Sequence, residues 1–316
     1  MEKIEHKIIP VNGLKMHVAE LGEGPLVLFV HGFPELWYSW RHQMLYMAAR
    51  GFRAVAPDMR GYGDTTGAPL DDPSMFTIPH LVGDLVSLLD AIAPNEGKVF
   101  IVGHDWGAYI AWHLCLYRPD KVKALVNMSV AYIPRDPRMN LMELFRMMGD
   151  DHYVIRFQEA GDIEAEFASV GVKEVVKYIL SYRNPGPFLF PKDKILDYNT
   201  ERAPWLSEDE LLYYVSKFEQ TGFTGGVNYY RAIGMNWKLN APWTGARVHV
   251  PAKFIVGELD LAYHMPGTKD YIHGGGFKSD VPLLQETVVI EGAAHFVNQE
   301  RPDEINEHIY TFLKQF

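Results

Sequence analysis

An aspartate stands in the run Val102–Gly107 (Val-Gly-His-Asp-Trp-Gly), at the place where a hydrolytic enzyme usually carries a serine. The residues before it are typical of a short buried strand over 98–102, and those after it predict a helix over 108–118 that stops at Pro119. The glycines between these elements allow a sharp turn, so the run predicts a strand–turn–helix nucleophile elbow. Such a turn would present the Asp105 carboxylate above the N-terminus of the helix, which favours negative charge.

A carboxylate in this position is suited to attack at a saturated carbon. A serine that attacked such a carbon would form an ether, which water cannot easily cleave. A carboxylate forms an ester instead, and an activated water assisted by an oxyanion hole can hydrolyse that ester. Asp105 therefore indicates the opening of an epoxide or the displacement of a halide. The alternative is that Asp105 only caps the following helix, as aspartate often does.

Two later residues could complete a catalytic triad in the order nucleophile, acid, histidine. His295 follows the last strand-like run in a loop of small residues, from which it could reach the elbow. Asp260 lies just past the preceding strand-like run, where its carboxylate could orient the imidazole. Glu258 is the nearest competing acid, and the other place for an acid, at residues 127–129, has none. A hydrogen-bonded loop histidine without a catalytic role is the weaker interpretation of His295.

A second loop supplies candidate hydrogen-bond donors for the ester. The apolar run Leu26–Val30 continues into residues 31–35 (His-Gly-Phe-Pro-Glu). In elbow-type hydrolases the loop at this place contributes one oxyanion-hole N–H, and the residue after the nucleophile contributes the other. Phe33 and Trp106 are therefore the donors by position. Taken alone, His-Gly-x-Pro could be an ordinary turn, but its place directly after a buried strand favours the functional interpretation.

These residues need a sheet to bring them together, and the rest of the sequence predicts one. Strand-like runs alternate with helical ones, which is typical of an α/β fold with a mostly parallel sheet. Further expected strands lie at 14–20, 53–56 and 124–126. An apolar face at helical spacing predicts a helix over 78–92, with Thr77 as its cap.

The middle of the chain breaks this alternation. From about residue 133 to about residue 242 there is no strong buried strand, and helical stretches are separated by Pro/Gly loops. We therefore expect a helical cap, residues 133–242, inserted into an α/β core formed by residues 1–132 and 243–316. The expected cap helices span 141–148, 172–182, 208–218 and 229–237.

Composition narrows the classes of function. The chain has 316 residues and a formal net charge of −10, which argues against nucleic acid or an anionic membrane as a partner. Its N-terminus is charged, and no segment has the length and apolarity of a membrane span. The one cysteine, Cys115, is expected to be a core thiol and fits a reducing compartment, so we expect a cytoplasmic protein. The 13 histidines show no metal-binding spacing, and we expect neither a metal nor a cofactor.

Five separated motifs carry a resemblance to a known family: residues 31–35, 58–64 (Asp-Met-Arg-Gly-Tyr-Gly-Asp), 103–107, 151–158 and 226–231. Together they resemble the soluble epoxide hydrolases of the α/β-hydrolase superfamily, and the plant enzymes in particular. The resemblance covers essentially the whole chain. It implies conversion of epoxides to vicinal diols through a covalent ester on the elbow aspartate. It also implies an eight-stranded sheet with the cap inserted between strands 6 and 7.

The resemblance assigns two tyrosines that the residues alone do not distinguish. It implies that the hydroxyls of Tyr153 and Tyr230 hold the epoxide oxygen. A phenol stays protonated at neutral pH and can donate to a developing alkoxide. The chain has 17 tyrosines, however, and the neighbouring Tyr229 is the obvious alternative.

The resemblance also implies supporting roles around the elbow. Glu35 and His104 match family positions that organise water and protons, although both could be structural. Pro34 is expected to follow a cis peptide bond. The supporting residues implied in this way are His31, Pro34, Glu35 and His104.

Two other functions share part of this pattern. A haloalkane dehalogenase uses the same aspartate elbow, but it commonly binds halide through an Asn at the loop position that is Phe33 here, or through a cap Trp. A non-catalytic receptor on the same fold would be free to lose triad members, and this chain keeps all three. As an epoxide hydrolase, the protein would take a small-molecule epoxide, with fatty-acid and aryl epoxides as the candidate classes. We expect it to act as a monomer or weak dimer.

Overall fold

The computed structural model describes residues 3–192 and 200–316, and a single eight-stranded sheet lies at its centre. The strands are β1 (Glu5–Val11), β2 (Leu14–Leu21), β3 (Leu26–Val30), β4 (Arg53–Pro57), β5 (Val99–His104), β6 (Val122–Met128), β7 (Ala252–Gly257) and β8 (Leu284–Ile290). Their order across the sheet is β1-β2-β4-β3-β5-β6-β7-β8. The pairs β1·β2 and β2·β4 are antiparallel and every other pair is parallel, as the expected mostly parallel sheet requires.

The strand-like runs of the sequence are confirmed as β2 to β8, but β1 was not expected. Its residues, Glu-His-Lys-Ile-Ile-Pro-Val, show no clean alternation, and only Val11 is buried. An edge strand gains its stability from main-chain pairing with one neighbour, here β2 in seven registered pairs, so its side chains carry little signal.

The centre of the sheet is buried on both faces, which explains why its strands are continuous apolar runs. Every residue of β3, β5 and β7 is buried. Cys115 is a buried free thiol, as expected. The parallel strands all end at the same edge, which is where ligands bind in sheets of this kind. The helices outside the cap are α1 (Arg41–Ala48), α2 (Ile78–Ile92), α3 (Trp106–Tyr117), α11 (Thr268–His273), α12 (Gly276–Asp280), α13 (Val297–Glu300) and α14 (Pro302–Leu313).

The cap lies between β6 and β7, as expected. In the part of this segment that the structure describes, the chain forms helices and adds no strand to the sheet. The predicted cap limits, residues 133 and 242, stay predictions. No helix within residues 3–192 and 200–316 is long and apolar enough to cross a membrane. The cap helices are α4 (Leu141–Met147), α5 (Tyr153–Arg156), α6 (Asp162–Val170), α7 (Val172–Leu180), α8 (Glu208–Thr221), α9 (Thr224–Arg231) and α10 (Ile233–Leu239).

Several helices differ from the sequence predictions by a few residues at their ends, and the cap shows larger differences. The single helix expected over 229–237 is two helices, α9 and α10, divided at Ala232. Helix α9 begins as early as Thr224, because Gly225 and Gly226, which are poor helix formers, are tolerated there by close packing on the core. The short helices α5 and α6 were not expected.

Thr77 occupies the N-cap position of α2, but its side chain does not cap the helix. Its hydroxyl lies 2.7 Å from Nδ1 of His80 instead. The first amide of the helix, Ile78 N–H, donates to Oδ1 of Asn236 in the cap at 2.8 Å. The position of Thr77 as N-cap is therefore confirmed, but its side chain bonds no helix amide: Pro79 has no N–H, and the His80 N–H donates to the main-chain oxygen of Thr77 at 2.9 Å.

Candidate active site

The elbow places Asp105 between the end of β5 and the start of α3. Its backbone has φ +52° and ψ −122°, a conformation that side-chain-bearing residues rarely adopt. Both flanking glycines are required by close neighbours. A Cβ on Gly103 would lie 2.5 Å from the Asn127 side-chain oxygen, and one on Gly107 would lie 1.9 Å from the carbonyl oxygen of Val30. The Asp105 side chain makes no capping bond to α3, so it is not simply a helix cap.

The two carboxylate oxygens of Asp105 have different partners. Oδ1 accepts a hydrogen bond from the Phe33 main-chain N–H at 2.7 Å, and Oδ2 lies 3.5 Å from Nε2 of His295. Trp106 is the first residue of α3, so its N–H has no acceptor within the helix. Gly32 leaves the necessary space, because a Cβ there would lie 2.3 Å from Oδ1. The arrangement can hold a negatively charged oxygen at Oδ1.

The predicted acid and histidine lie together behind the nucleophile. Asp260 follows β7, His295 follows β8, and Oδ1 of Asp260 lies 2.9 Å from Nδ1 of His295. Asp260 is fully buried, and its Oδ1 also accepts the Ala262 N–H at 2.9 Å. The competing acid, Glu258, is exposed and accepts the main-chain N–H of Gly292 at 2.9 Å. The geometry therefore favours Asp260 over Glu258 as the partner of the imidazole.

The buried charges of this triad stabilise one another. Burial alone would raise the pKa of Asp260, but the charge and hydrogen bond of His295 bring it below its usual value. Burial alone would lower the pKa of His295, yet the carboxylates of Asp260 and Asp105 raise it well above its usual value. Both carboxylates therefore favour the protonated form of the imidazole. An ester on Asp105 would remove one neighbouring negative charge and lower the pKa of the imidazole.

His104 and Glu35 form a second buried pair beside the triad. Nδ1 of His104 lies 2.7 Å from Oε2 of Glu35, and its Nε2 lies 2.7 Å from the carbonyl oxygen of His295. Both partners are acceptors, so the ring donates twice and carries a positive charge. Burial alone would lower the pKa of His104, but the Glu35 carboxylate raises it above its usual value. Glu35 also accepts the Gly32 N–H at 2.9 Å, which links this pair to the oxyanion-hole loop.

His31 and Pro34 shape the same loop. Nδ1 of His31 lies 2.9 Å from the Gly32 carbonyl oxygen, and its Nε2 accepts the Met59 N–H at 2.9 Å. Burial lowers the pKa of His31, so the ring is neutral and can accept at Nε2. The peptide bond between Phe33 and Pro34 is cis, as the family resemblance implied. The hydrogen bonds of His31 and the cis bond before Pro34 thus hold the main chain of this loop.

Two cap tyrosines face the elbow across a cavity of about 340 Å³. Tyr153 begins α5 and Tyr230 lies in α9, and both line this cavity together with Asp105 and His295. Their rings lie 5.5 Å apart at 77°. Burial, followed by the charge of Asp105, raises the pKa of both phenols above the usual value, so both stay protonated. The hydroxyl of Tyr229 donates to the Arg60 carbonyl oxygen at 2.9 Å, which makes it a structural contact.

Tyr230 is held against the core by close packing. Its ring lies 5.5 Å from that of Phe33, 5.1 Å from that of Trp106 and 5.1 Å from that of Phe157, each nearly perpendicular. The helix that carries it rests directly on a core loop. A Cβ on Gly225 would lie 2.0 Å from the carbonyl oxygen of Gly61, so no side chain fits between the two backbones.

Sequence reasoning missed two residues at this site. The hydroxyl of Ser129, directly after β6, lies 3.1 Å from Nδ1 of His295. The sequence shows only that residues 127–129 contain no acid, and a serine after a strand does not by itself indicate a contact with the imidazole. The side-chain amide of Gln299 donates to Oε1 of Glu35 at 3.3 Å. Gln299 lies in a short helix after the catalytic loop, and nothing in its sequence context distinguishes it.

One further cluster offers metal-ligand atoms away from the cavity. His17, Asp58 and Asp64 place one such atom each within 4.8 Å of the others. The ammonium of Lys217 already pairs with both oxygens of Asp64, at 2.7 and 2.8 Å, and Nδ1 of His17 lies 2.8 Å from Asp58. The Lys217 ammonium therefore occupies the position beside Asp64 that a metal cation would take.

Comparison with known proteins gives four findings. The model of the alpha/beta hydrolase family matches residues 27–308. Epoxide hydrolase 1 of Siraitia grosvenorii is 57% identical over 318 residues, with 100% of both chains covered. Bifunctional epoxide hydrolase 2 of Mus musculus is 30% identical over 98% of this chain and 56% of its own length. The solved structure of potato (Solanum tuberosum) epoxide hydrolase I is 69% identical and superposes with a TM-score of 0.97, over 99% of this chain and 100% of the potato chain.

Proposed function

This chain belongs to the alpha/beta hydrolase family and, within it, to the epoxide hydrolases, and from that premise we propose that Asp105 opens the epoxide by forming a covalent ester with it. The overall reaction converts an epoxide to a vicinal diol. The observation that carries the proposal is the Asp105 carboxylate at the elbow, which shares one cavity with His295 and the two tyrosines. The assignments of individual residues below are part of the proposal.

The first step is attack on a ring carbon by Oδ2 of Asp105. Oδ1 already accepts the Phe33 N–H, so it becomes the carbonyl oxygen of the ester. A carbon–oxygen bond forms to Oδ2, and the bond between that carbon and the epoxide oxygen breaks. The displaced oxygen develops negative charge and takes a proton from the hydroxyls of Tyr153 and Tyr230. Their raised pKa keeps these protons in place until the ring opens.

The second step is hydrolysis of the ester by water. The tyrosine that gave up its proton recovers one from Nε2 of His295, whose pKa falls when Asp105 is esterified. The neutral imidazole then takes a proton from water while Asp260 holds its Nδ1–H, and it keeps that proton into the next cycle. The hydroxide attacks the ester carbon, and the negative charge on Oδ1 is stabilised by the N–H groups of Phe33 and Trp106. Collapse of this intermediate releases the diol, which carries Oδ2 away. Glu35 and His104 support the step by holding the His295 carbonyl and ordering water.

A single turnover in ¹⁸O-labelled water tests the covalent ester. With enzyme in excess over epoxide, the label is expected in Asp105, and the diol should carry an unlabelled oxygen from the enzyme. Label found directly in the diol would mean that water attacks the epoxide itself, and the proposal would fail. An alkyl halide serves as the companion substrate, since efficient turnover of the halide would favour a dehalogenase.

The cavity also supports a substrate class. Its lining beyond the reacting groups is mostly apolar, including Leu141, Leu144, Phe145 and Met265. We infer that the epoxide carries a large apolar substituent, as fatty-acid and aryl epoxides do. A panel of both classes, assayed for diol, would test this and would rank them.

We further propose that the enzyme acts in the cytoplasm as a monomer or weak dimer. All of the proposed site residues come from one chain, so a second copy is not needed to complete the site. The single buried cysteine is compatible with a reducing compartment. Sedimentation velocity over a range of concentrations would test the first part, and a fluorescent fusion would test the second.

A further inference from the structure

Ser129 lies beside the triad in an unusual backbone conformation. It directly follows β6, is almost fully buried, and has φ +71°, a region that residues with side chains rarely occupy. Its N–H donates to the Ile255 carbonyl oxygen in β7 at 2.9 Å, which fixes the main chain in place. The turn directs the side chain to the triad, where its hydroxyl lies 3.1 Å from Nδ1 of His295. Strain of this kind commonly accompanies a functional constraint.

The acid of the triad has one oxygen without a partner. Oδ1 of Asp260 accepts from both His295 and the Ala262 N–H, each at 2.9 Å. Oδ2 is buried and has no hydrogen-bond partner among residues 3–192 and 200–316. A buried carboxylate oxygen without a donor is costly, so a donor beside it is expected to be used.

The Ser129 hydroxyl is the candidate donor for this oxygen, since it lies 3.1 Å from the imidazole nitrogen that Asp260 also contacts. Nδ1 of His295 has a single proton, which is given to Oδ1 of Asp260, so the hydrogen of the Ser129 hydroxyl is not needed by the imidazole. Burial raises the pKa of Asp260, whereas His295 and the neighbouring Ser129 hydroxyl lower it. The Ser129 hydroxyl and Oδ1 of Asp260 lie 3.1 and 2.9 Å from the same atom, Nδ1 of His295. The hydroxyl and the carboxylate are therefore neighbours, and a rotation of the Ser129 side chain would bring its hydrogen toward the carboxylate.

We propose that the Ser129 hydroxyl donates to Oδ2 of Asp260 and is a positioning residue for hydrolysis of the ester. With both oxygens held, the carboxylate keeps its orientation toward Nδ1, and Nε2 of His295 keeps facing the water and Asp105. The bond also withdraws charge from Asp260. His295 therefore gives up its proton more readily than it would beside an unshared carboxylate.

This inference rests on the proposed function, and two variants separate it from a structural role. Ser129→Ala removes the hydroxyl but leaves a residue with a side chain at the unfavourable positive φ. Ser129→Gly removes the hydroxyl and also the backbone strain, because glycine adopts positive φ readily. Pre-steady-state kinetics would follow ester formation and ester hydrolysis separately, with Trp106 as an intrinsic fluorophore in the cavity. Ser39→Ala is the matched control, because it removes another buried hydroxyl, which contacts Tyr214 and not the triad.

Both Ser129 variants are expected to slow ester hydrolysis about tenfold, the size of one hydrogen bond to a charged group, and to leave ester formation unchanged. The acidic limb of the hydrolysis rate should move to higher pH, because the pKa of His295 rises when Asp260 loses its donor. The charged groups that face His295, namely Asp105, Asp260 and His104, are untouched by either variant.

Three results would overturn the inference. In the first, the rate of ester hydrolysis and its pH profile are unchanged in both variants. In the second, Ser129→Ala slows hydrolysis and Ser129→Gly does not, which would assign the effect to the backbone conformation and not to the hydroxyl. Equal losses in both steps would indicate a structural defect. Failure of the proposed function looks different, because wild type itself would then form no ester.

Discussion

The core and the cap both contribute to the site, but they fix their residues in different ways. In the core, Asp105, Asp260 and His295 each follow the carboxyl end of a strand, and main-chain geometry sets their positions. In the cap, Tyr153 and Tyr230 lie on short helices and are positioned by contacts between aromatic rings. In the proposed mechanism, residues of the core form and hydrolyse the ester, and the two tyrosines of the cap stabilise the departing epoxide oxygen. Substitution of the core residues should therefore abolish turnover, whereas substitution of the cap tyrosines should only slow it.

The largest effect is expected from Asp105→Asn. A neutral amide is a poor nucleophile, so turnover should fall by about 10⁴-fold or more, with no ester formed. Mass spectrometry of the intact protein after incubation with epoxide should show no adduct. If turnover were retained and an adduct formed at another residue, Asp105 would not be the nucleophile.

The next largest effect is expected from His295→Gln. Ester hydrolysis should slow by up to about 10⁴-fold, the upper range for a general base, while ester formation continues. The adduct should then accumulate on Asp105 and be visible by mass spectrometry.

Two carboxylate variants test which acid supports His295. Asp260→Asn should slow ester hydrolysis, whereas the matched variant Glu258→Gln should not, because Glu258 is exposed and bonded to the Gly292 main chain. The opposite ranking would transfer the role to Glu258.

The tyrosines test the cap in the same assay. Each of Tyr153→Phe and Tyr230→Phe should slow ester formation by about 100-fold, because one donor to developing charge is lost, and the double variant should lose more than either. The matched control is Tyr229→Phe, which removes a hydroxyl bonded to the Arg60 carbonyl and should leave this step unchanged. Undiminished ring opening in the double variant would contradict the role of the cap.

The sequence revealed the core far better than the cap. Buried parallel strands are continuous apolar runs that end at one edge, so β2 to β8 and the residues after them could be located from pattern and chain order. The cap has no such rule: its tyrosines are two among 17, and only the family resemblance distinguished them. Ser129 and Gln299 were missed because their contacts come from the fold alone. Helix α2 shows the same limit, since its first amide, Ile78 N–H, donates to Asn236 in the cap, 158 positions further along the chain.

A smaller effect is expected where the cap rests on the core. Gly225→Ala would place a methyl group 2.0 Å from the Gly61 carbonyl oxygen and push α9, with Tyr230, away from the elbow. We expect a loss of roughly 1–3 kcal/mol in the free energy of unfolding and slower ester formation, with ester hydrolysis little changed. Gly186→Ala is the control, because within residues 3–192 and 200–316 no heavy atom other than those of its chain neighbours lies within 4 Å of its added Cβ. Equal melting temperatures for the two variants would show that the contact is not tight.

The smallest effect is expected from alkaline pH. A free phenol loses its proton near pH 10. Burial and the charge of Asp105 raise the pKa of Tyr153 and Tyr230, so their protons should be retained through that range. The rate of ester formation should therefore stay level from pH 8 to about pH 10. A decline with a midpoint at the usual phenol pKa would show that the tyrosines are more exposed to water than the cavity implies.

The unequal partners of the Asp105 oxygens have a consequence for the protein's own atoms. Oδ1 is held by the Phe33 amide, and Oδ2 faces His295. In the proposed cycle the diol carries Oδ2 away, and water supplies its replacement. One oxygen of the side chain is thus renewed at every turnover, while the other stays for the lifetime of the molecule as long as the carboxylate does not rotate. The carboxylate of Asp105 therefore contains one oxygen that is retained and one that is consumed in each cycle, and the hydrogen bond from the Phe33 N–H determines that Oδ1 is the retained one.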